Sequence, residues 1–161
     1  MEWYQGGFST TQLWLNYVAF LPMPWLLLGI CAVRTEALGA FSLVGAVLYG
    51  FAFTYFAHTT LYALATGVPN YELLWRKLGP AYTAHGALMV IGGLIFAAAA
   101  HRSRSLPTIA VGLFAGGLLV NLLLALVPAP DIMQTAGTAI RNAGLAGMGY
   151  AMLRGCRASA L

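Results

Sequence analysis

Two histidines lie within apolar segments of the chain, where an imidazole can act as an acid, a base or a metal ligand. Counted at about 1.5 Å per helical residue, His58 lies roughly 12 Å and His85 roughly 8 Å below the same membrane surface. Neutral imidazoles at comparable depth on adjacent helices are the usual arrangement for the axial ligands of haem b. His58 and His85 are therefore candidate cofactor ligands, and two core histidines without a ligand are the alternative.

A third candidate, Arg141, lies about ten residues into the last apolar segment, deep within a membrane span. A guanidinium at that depth costs several kcal/mol, roughly 3 on insertion scales, unless it faces partners or water inside a helical bundle. Asp131 and Gln134 precede it on one helical face. We therefore expect a polar interior and a functional role for Arg141. The structural alternative is that Arg141 bonds backbone carbonyls freed by Pro22 and Pro24.

Other polar side chains fall in the same half of their own apolar segments, which predicts one pocket near the outer membrane surface. Tyr55, His58, Thr59 and Tyr62 share one helical stripe, and Tyr49 falls off it. Asn121 lies at a depth of roughly 9 Å. The candidate catalytic residues are His58, His85, Tyr55, Arg141 and Asn121, and the candidate ligand-binding residues are Asn16, Tyr62, Gln134 and Asn142.

The elements that must position these side chains are transmembrane helices. The chain is 60% hydrophobic and 7% charged, which excludes a soluble domain with a polar coat. Five windows have the roughly 20 apolar residues that cross a bilayer. They cover about 11–33, 37–65, 80–100, 106–127 and 131–153. We expect an all-α fold, in which residues 1–161 form a single transmembrane domain of five helices.

A short interfacial helix is predicted at about residues 70–78, between the second and third spans. Tyr71, Leu74, Trp75 and Leu78 share one stripe of it, and charged residues occupy the other side. Trp75 suits the depth of lipid headgroups. The helix is either a lid over the pocket or a simple surface connector.

Basic residues predict the orientation of the spans. Arg34, Arg102, Arg104, Arg154 and Arg157 all lie on one face if the fifth segment crosses. Cytoplasmic loops carry such an excess, so we expect the N-terminus outside and the C-terminus in the cytoplasm, in a plasma membrane of the bacterial type. The net charge of +4 then reflects topology, and nucleic acid is not an expected partner.

The available side chains narrow the possible chemistry. Carboxylates are absent from the predicted pocket, which argues against glycosidase-like or proton-pumping schemes, and no serine or cysteine nucleophile lies at pocket depth. A zinc or di-iron site lacks a suitable third ligand. Three possible activities remain: acid–base chemistry by histidine, Lewis-acid chemistry by a bound metal cofactor, and binding of a small hydrophobic molecule.

One segment, at about residues 75–91, resembles a known family. It contains Trp75-Arg76-Lys77-Leu78-Gly79-Pro80-Ala81, then His85-Gly86 and Met89-Val90-Ile91. This pattern is similar to a segment of the membrane-bound styrene oxide isomerases. The resemblance implies a small helical haem b enzyme that opens epoxides to aldehydes with iron as a Lewis acid. The chain lacks the family's ligand histidine before Gly79, so His85 would bind iron in a different geometry.

A different class of function is also open. Ala139, Ala143, Gly147 and Ala151 recur at four-residue spacing in the last span, which lets neighbouring helices approach closely. Small polytopic proteins of this kind are often accessory subunits that bind lipid, pigment or partner helices in a larger complex. We expect either a homo-oligomer or such a subunit, with the lipid bilayer and a small hydrophobic ligand as the other partners.

Overall fold

The computed structural model describes residues 7–127 and 130–158, and only the backbone of Asp131 and of residues 156–158. Within these residues the regular structure is entirely helical, which confirms the predicted all-α class. The helices are α1 (Thr10–Phe20), α2 (Met23–Val33), α3 (Thr35–Thr66), α4 (Tyr71–Leu78), α5 (Pro80–Ser103), α6 (Thr108–Leu126) and α7 (Asp131–Ala158).

Four of the described segments are long and apolar enough to cross a membrane: α1 together with α2, then α3, α5 and α6. Large apolar side chains cover the outside of the bundle; Phe41 is 79% exposed and Ile109 80% exposed. Such a surface suits contact with lipid. α7 has the length, at 28 residues, but is less apolar than these four segments.

The first predicted span consists of two helices. α1 ends at Phe20 and α2 begins at Met23, with Pro22 as its N-cap residue. Pro22 and Pro24 have no N–H to donate, so the hydrogen-bond ladder of a single helix is interrupted between them. Pro24 packs against Gly50 of α3, where an added Cβ would lie 3.2 Å from the Cβ of Pro24.

Two pairs of helices contact each other through their backbones. α3 meets α5 at Gly45 and Gly92; a Cβ added at Gly92 would lie 2.6 Å from the nitrogen of Tyr49. α6 meets α7 at Gly117, whose added Cβ would lie 2.7 Å from the Cα of Arg141. Because no side chain separates these backbones, the glycines determine which faces of the helices turn towards each other.

Aromatic side chains fill the core between the two pairs. Tyr49, Phe53, Phe96 and Phe114 are all fully buried. The ring centroid of Tyr49 lies 4.8 Å from that of Phe53 and 5.5 Å from that of Phe114, which joins α3 to α6. This core lies near the midpoints of the long helices.

α4 lies across one end of the bundle, which we call the α4 end. Leu74 is 2% exposed and anchors it, and Tyr71 packs against Phe8 with 4.6 Å between ring centroids. Of the predicted apolar stripe, Trp75 is half exposed, and its Nε1 donates to Thr83 Oγ1 at 3.0 Å. Gly67 and Gly79 border α4 with φ angles of 63° and 59°, which favour glycine.

Candidate functional site

The candidate residues do not gather in the single pocket that the sequence analysis predicts. They lie in different parts of the bundle: a chamber beneath α4, an aromatic cage around His85, the α6–α7 contact and the core around Arg141. The physical reason is the rotation of each helix about its own axis. Equal depth in a membrane does not make two side chains face each other.

The chamber beneath α4 is a cavity of about 70 Å³ between α1, α3, α4 and α5. Its polar lining includes the predicted residue Asn16, and the structure shows no hydrogen bond to that carboxamide within the described part of the chain. The hydroxyls of Thr59 and Thr60 donate to the carbonyl of Phe56, each at 2.9 Å, and their oxygens remain able to accept. The apolar walls include Phe8, Leu13, Phe20, Phe56 and Leu74.

Tyr62, also a predicted ligand-binding residue, does not line this chamber. Its half-buried ring packs against a small cluster that includes Leu13, Ala63 and Leu74. The sequence places Tyr62 and the chamber residue Thr59 on one stripe, but the chamber extends along a neighbouring face of α3.

His85 is 2% exposed and lies in a cage of aromatic rings. Its ring centroid is 4.3 Å from that of Phe56, 4.5 Å from that of Tyr55 and 4.7 Å from that of Tyr82. Nδ1 lies 3.1 Å from the carbonyl oxygen of Ala81, so we assign the proton to Nδ1. Nε2 is then a buried acceptor, and it has no hydrogen-bond partner in the described chain.

His58 has a different environment, because its side chain is exposed. The Tyr55 ring lies near both imidazoles, with its centroid 6.0 Å from that of His58 and 4.5 Å from that of His85. The two imidazoles therefore differ in their surroundings: His85 is buried inside the bundle, and His58 lies on its surface.

Haem can be tested against this arrangement. A metal-ligating histidine usually donates one ring N–H to a carbonyl and presents its other nitrogen to the metal. His85 has the first of these features, because its Nδ1 donates to the carbonyl of Ala81. The rings of Tyr55, Phe56 and Tyr82 occupy the space around this imidazole. The donor chemistry of His85 would thus suit a metal, but the rings packed around its imidazole and the exposed position of His58 do not accommodate a porphyrin held by both histidines.

Arg141 lies inside the bundle, as the sequence predicts, and is 5% exposed. Its Nη1 lies 3.4 Å from the sulfur of Met89, and its Nε and Nη2 donate to Asn142 Oδ1 at 3.4 and 3.3 Å. Its Cζ lies 5.4 Å from the ring centroid of Phe53. Of the two residues predicted to share a helical face with Arg141, Gln134 is half buried about two turns earlier, and the side chain of Asp131 lies outside the described residues.

The alternative role for Arg141, bonding carbonyls freed by Pro22 and Pro24, is not seen among the described contacts. The carbonyl of Pro22 accepts from the backbone nitrogen of Leu26 at 3.1 Å. Asn142 accepts from Arg141 but is otherwise exposed, so it is a neighbour of the buried cation rather than part of a cavity wall.

Tyr49 is a polar residue of this region that the sequence analysis left out. It is fully buried, and its hydroxyl has no hydrogen-bond partner in the described chain. Its ring packs against Phe53, the residue over whose ring the guanidinium of Arg141 also lies. Tyr49 is not among the predicted site residues, because it does not share the helical stripe of Tyr55 and His58. The spacing to Gly45 could have indicated that Tyr49 faces the core. Tyr49 lies four residues after Gly45, so the two share a face of the helix, and Gly45 contacts α5.

Asn121 links two helices instead of lining a pocket. Its Nδ2 donates to Thr138 Oγ1 at 3.0 Å, which ties α6 to α7. Its Oδ1 is buried without a partner in the described chain and faces Gly137. A hydrogen bond between two helices stabilises their packing in a membrane by about 0.6 kcal/mol on average.

The site therefore offers hydrogen-bonding groups in a small chamber, a buried imidazole lone pair and a buried cation. Among the described residues, no group of three or more His, Cys, Asp or Glu side chains could hold a metal ion. Comparison with protein-family models, curated proteins and solved structures finds no match to this chain.

Proposed function

We propose that this is a five-span membrane protein that binds a small, mainly apolar molecule in the chamber beneath α4. The observation that carries the proposal is the lining of that chamber. Apolar and aromatic walls surround the carboxamide of Asn16 and the hydroxyls of Thr59 and Thr60. Ligand sites typically combine an apolar wall with a few polar groups that orient the bound molecule.

The size of the chamber limits what enters it in this conformation. An apolar cavity of about 150 Å³ holds benzene, so about 70 Å³ holds only part of such a molecule. α4 covers the chamber through Leu74 and lies between Gly67 and Gly79, where backbone rotation is least hindered. We infer that α4 is a lid that moves outward when a ligand of benzene size or larger enters.

The proposed topology has α7 as the fifth span. A Cβ added at Gly155, near the end of α7, would lie 3.2 Å from Arg34 Nη2, so these residues share the end of the bundle opposite α4. Arg102 and Arg104 follow α5 to the same end. An arginine-rich end indicates the cytoplasmic face, so we infer that the α4 end is the outer one, in a plasma membrane of the bacterial type.

The experiment measures saturable binding of styrene oxide, a small aryl epoxide, to the purified protein in lipid nanodiscs. Ethylbenzene serves as the matched compound without the oxygen. We expect styrene oxide to bind more tightly, because its oxygen can accept a hydrogen bond from Asn16. One such bond contributes about 0.5–1.5 kcal/mol, which corresponds to roughly 2- to 10-fold in affinity.

Variants of the lining locate the binding. Asn16→Leu should remove the preference for styrene oxide over ethylbenzene. Thr60→Val should keep that preference, because the hydroxyl of Thr60 already donates its proton to the carbonyl of Phe56. Thr66→Val is the matched control: Thr66 also donates to a carbonyl four residues earlier, that of Tyr62 at 2.7 Å, but it is exposed and outside the chamber. Equal binding by all three variants would contradict the proposal.

A second candidate is conversion of an epoxide with haem b, and His85 is the observation that favours it. Its Nδ1 bond to Ala81 and its unpaired Nε2 leave the imidazole ready to bind a metal. Bound haem would supply a Lewis acid that polarises the epoxide oxygen.

The test of this candidate is the absorption spectrum of protein produced with haem supplied. A Soret band that is lost in His85→Ala and kept in His58→Ala would support it, because His58 is exposed and His85 is buried. A colourless protein after reconstitution with hemin would reject haem and leave the binding function of the chamber intact.

A further inference from the structure

The charge of Arg141 has no counter-ion within reach in the described chain. The whole sequence contains four acidic residues. Glu36 lies in the first turn of α3, and Glu72 on α4 pairs with Arg76 at 2.7 Å. Asp131 begins α7 ten positions before Arg141, about 15 Å away along the helix axis. The remaining acid, Glu2, lies outside the described residues.

The depth of Arg141 in the bundle makes the absence of a counter-ion in the described chain costly. Arg141 contacts Gly117 at the middle of α6 and Met89 in the first half of α5, so the guanidinium lies deep between the helix ends. A charge buried at such depth normally pairs with an opposite charge or faces water. The sulfur of Met89 and the carboxamide of Asn142 are neutral, and the two contacts to Asn142 are long, at 3.4 and 3.3 Å.

The guanidinium also retains donors. Arginine has five N–H groups, and the contacts to Met89 and Asn142 use three of them, so two remain. The Cζ of Arg141 lies 5.4 Å from the ring centroid of Phe53, a cation–π contact that supplies no oxygen or nitrogen acceptor for these N–H groups.

Tyr49 supplies a second, independent observation. Its hydroxyl is fully buried and unpaired in the described chain. Its ring centroid lies 4.8 Å from that of Phe53, and the Cζ of Arg141 lies 5.4 Å from the same Phe53 centroid. A buried hydroxyl without a partner is costly, and so is a buried cation without one. A single negatively charged acceptor would satisfy both groups.

We propose that Arg141 and Tyr49 bind a small monovalent anion, a halide or a small carboxylate, in the core of the bundle. The guanidinium of Arg141 donates its remaining N–H groups and supplies the charge, and the hydroxyl of Tyr49 donates a further hydrogen bond. The contact with Gly117 holds the backbone of Arg141 in place, because no side chain fits between them. This site is separate from the chamber beneath α4 and does not depend on its ligand.

The test uses the full chain in phosphatidylcholine nanodiscs at constant ionic strength. The starting salt is potassium gluconate, whose anion is much larger than the four anions tested. Chloride, bromide, formate or acetate replaces gluconate stepwise, and the midpoint of thermal unfolding is recorded. We expect one of these anions to raise the midpoint saturably, because a ligand that binds only the folded state stabilises it. Saturation by chloride and bromide identifies a halide site, and saturation by formate or acetate alone identifies a carboxylate site.

The variants assign the effect to the two residues. Tyr49→Phe keeps the shape of the ring and should weaken the apparent anion affinity roughly 10- to 100-fold, the effect of losing one hydrogen bond to a charged group. Arg141→Met should abolish the response. If Arg141→Met does not fold, Tyr49→Phe still decides the matter.

The controls use an exposed arginine–tyrosine pair in the same protein. Arg154 lies over the ring of Tyr150 at 4.8 Å, and both residues are exposed. Arg154→Met and Tyr150→Phe should respond to the anion as the wild type does, and so should the chamber variant Asn16→Leu. A wild-type midpoint that is the same in every anion, or a full response in Tyr49→Phe, would overturn the anion site.

Discussion

Replacing Gly92 with alanine should separate α3 from α5 and destabilise the bundle. The added Cβ would lie 2.6 Å from the nitrogen of Tyr49 and 2.8 Å from both the carbonyl oxygen of Gly45 and the Cβ of Leu48. Two of these three atoms belong to the backbone of α3, so no side-chain rotation relieves the overlap. The helices would have to move apart by about 0.8 Å to restore ordinary van der Waals contact.

The magnitude follows from that displacement. Overpacking in a closely packed interior typically costs about 1–3 kcal/mol, and a gap of 0.5–1 Å forfeits about a quarter to a half of each affected dispersion contact. We therefore expect Gly92→Ala to lower the free energy of unfolding by about 1–3 kcal/mol. The same shift would displace Tyr49 relative to Arg141, so the anion response should weaken as well.

The assay is reversible unfolding in mixed micelles of increasing denaturing detergent, followed by circular dichroism. Gly86→Ala is the matched control, because it lies on the same helix and an added Cβ there meets nothing within 4 Å. It should leave stability unchanged or raise it by up to about 1 kcal/mol, since alanine favours a helix over glycine. If Gly92→Ala proved as stable as Gly86→Ala, the inferred backbone contact between α3 and α5 would be wrong.

Two further substitutions test other contacts. Gly137→Ala should destabilise the α6–α7 pair less than Gly92→Ala destabilises the α3–α5 pair. The Cβ added at Gly137 meets the end of the Asn121 side chain, which can rotate away if it gives up its hydrogen bond to Thr138. The same detergent titration measures both losses of stability, and equal losses would contradict this prediction. Leu74→Ala should weaken the packing of α4 against the bundle by about 2–5 kcal/mol, so that α4 detaches more often. Limited proteolysis should then cleave faster within residues 67–79, and an unchanged cleavage rate would show that Leu74 does not anchor the lid.

Parts of the site could be predicted from single segments. The apolar lengths predict the helices, and the short stripe with its flanking turn residues predicts α4, which the structure has at Tyr71–Leu78. The cost of a guanidinium in hydrocarbon predicts that Arg141 faces inward, as its 5% exposure confirms. Each of these inferences depends on local composition and on the properties of the membrane.

Other parts could not be predicted in this way. His58 and His85 lie at similar depth, yet one is exposed and the other is buried in an aromatic cage. Depth is a property of one helix, whereas the direction in which a side chain points depends on how that helix is rotated against its neighbours. Tyr49 was omitted for the same reason, because a stripe on one helix does not reveal which face meets the core.

By itself the sequence determined that the chain forms long apolar helices around a buried cation. In hydrocarbon each segment must satisfy its own backbone hydrogen bonds, and an unpartnered charge cannot face lipid without a large cost. Only the tertiary structure decided that Tyr49 and Arg141 pack against the same ring, that of Phe53, and that Asn16 lines a chamber apart from both. Those placements depend on the rotation of whole helices, which non-local contacts such as Gly45 with Gly92 and Gly117 with Arg141 determine.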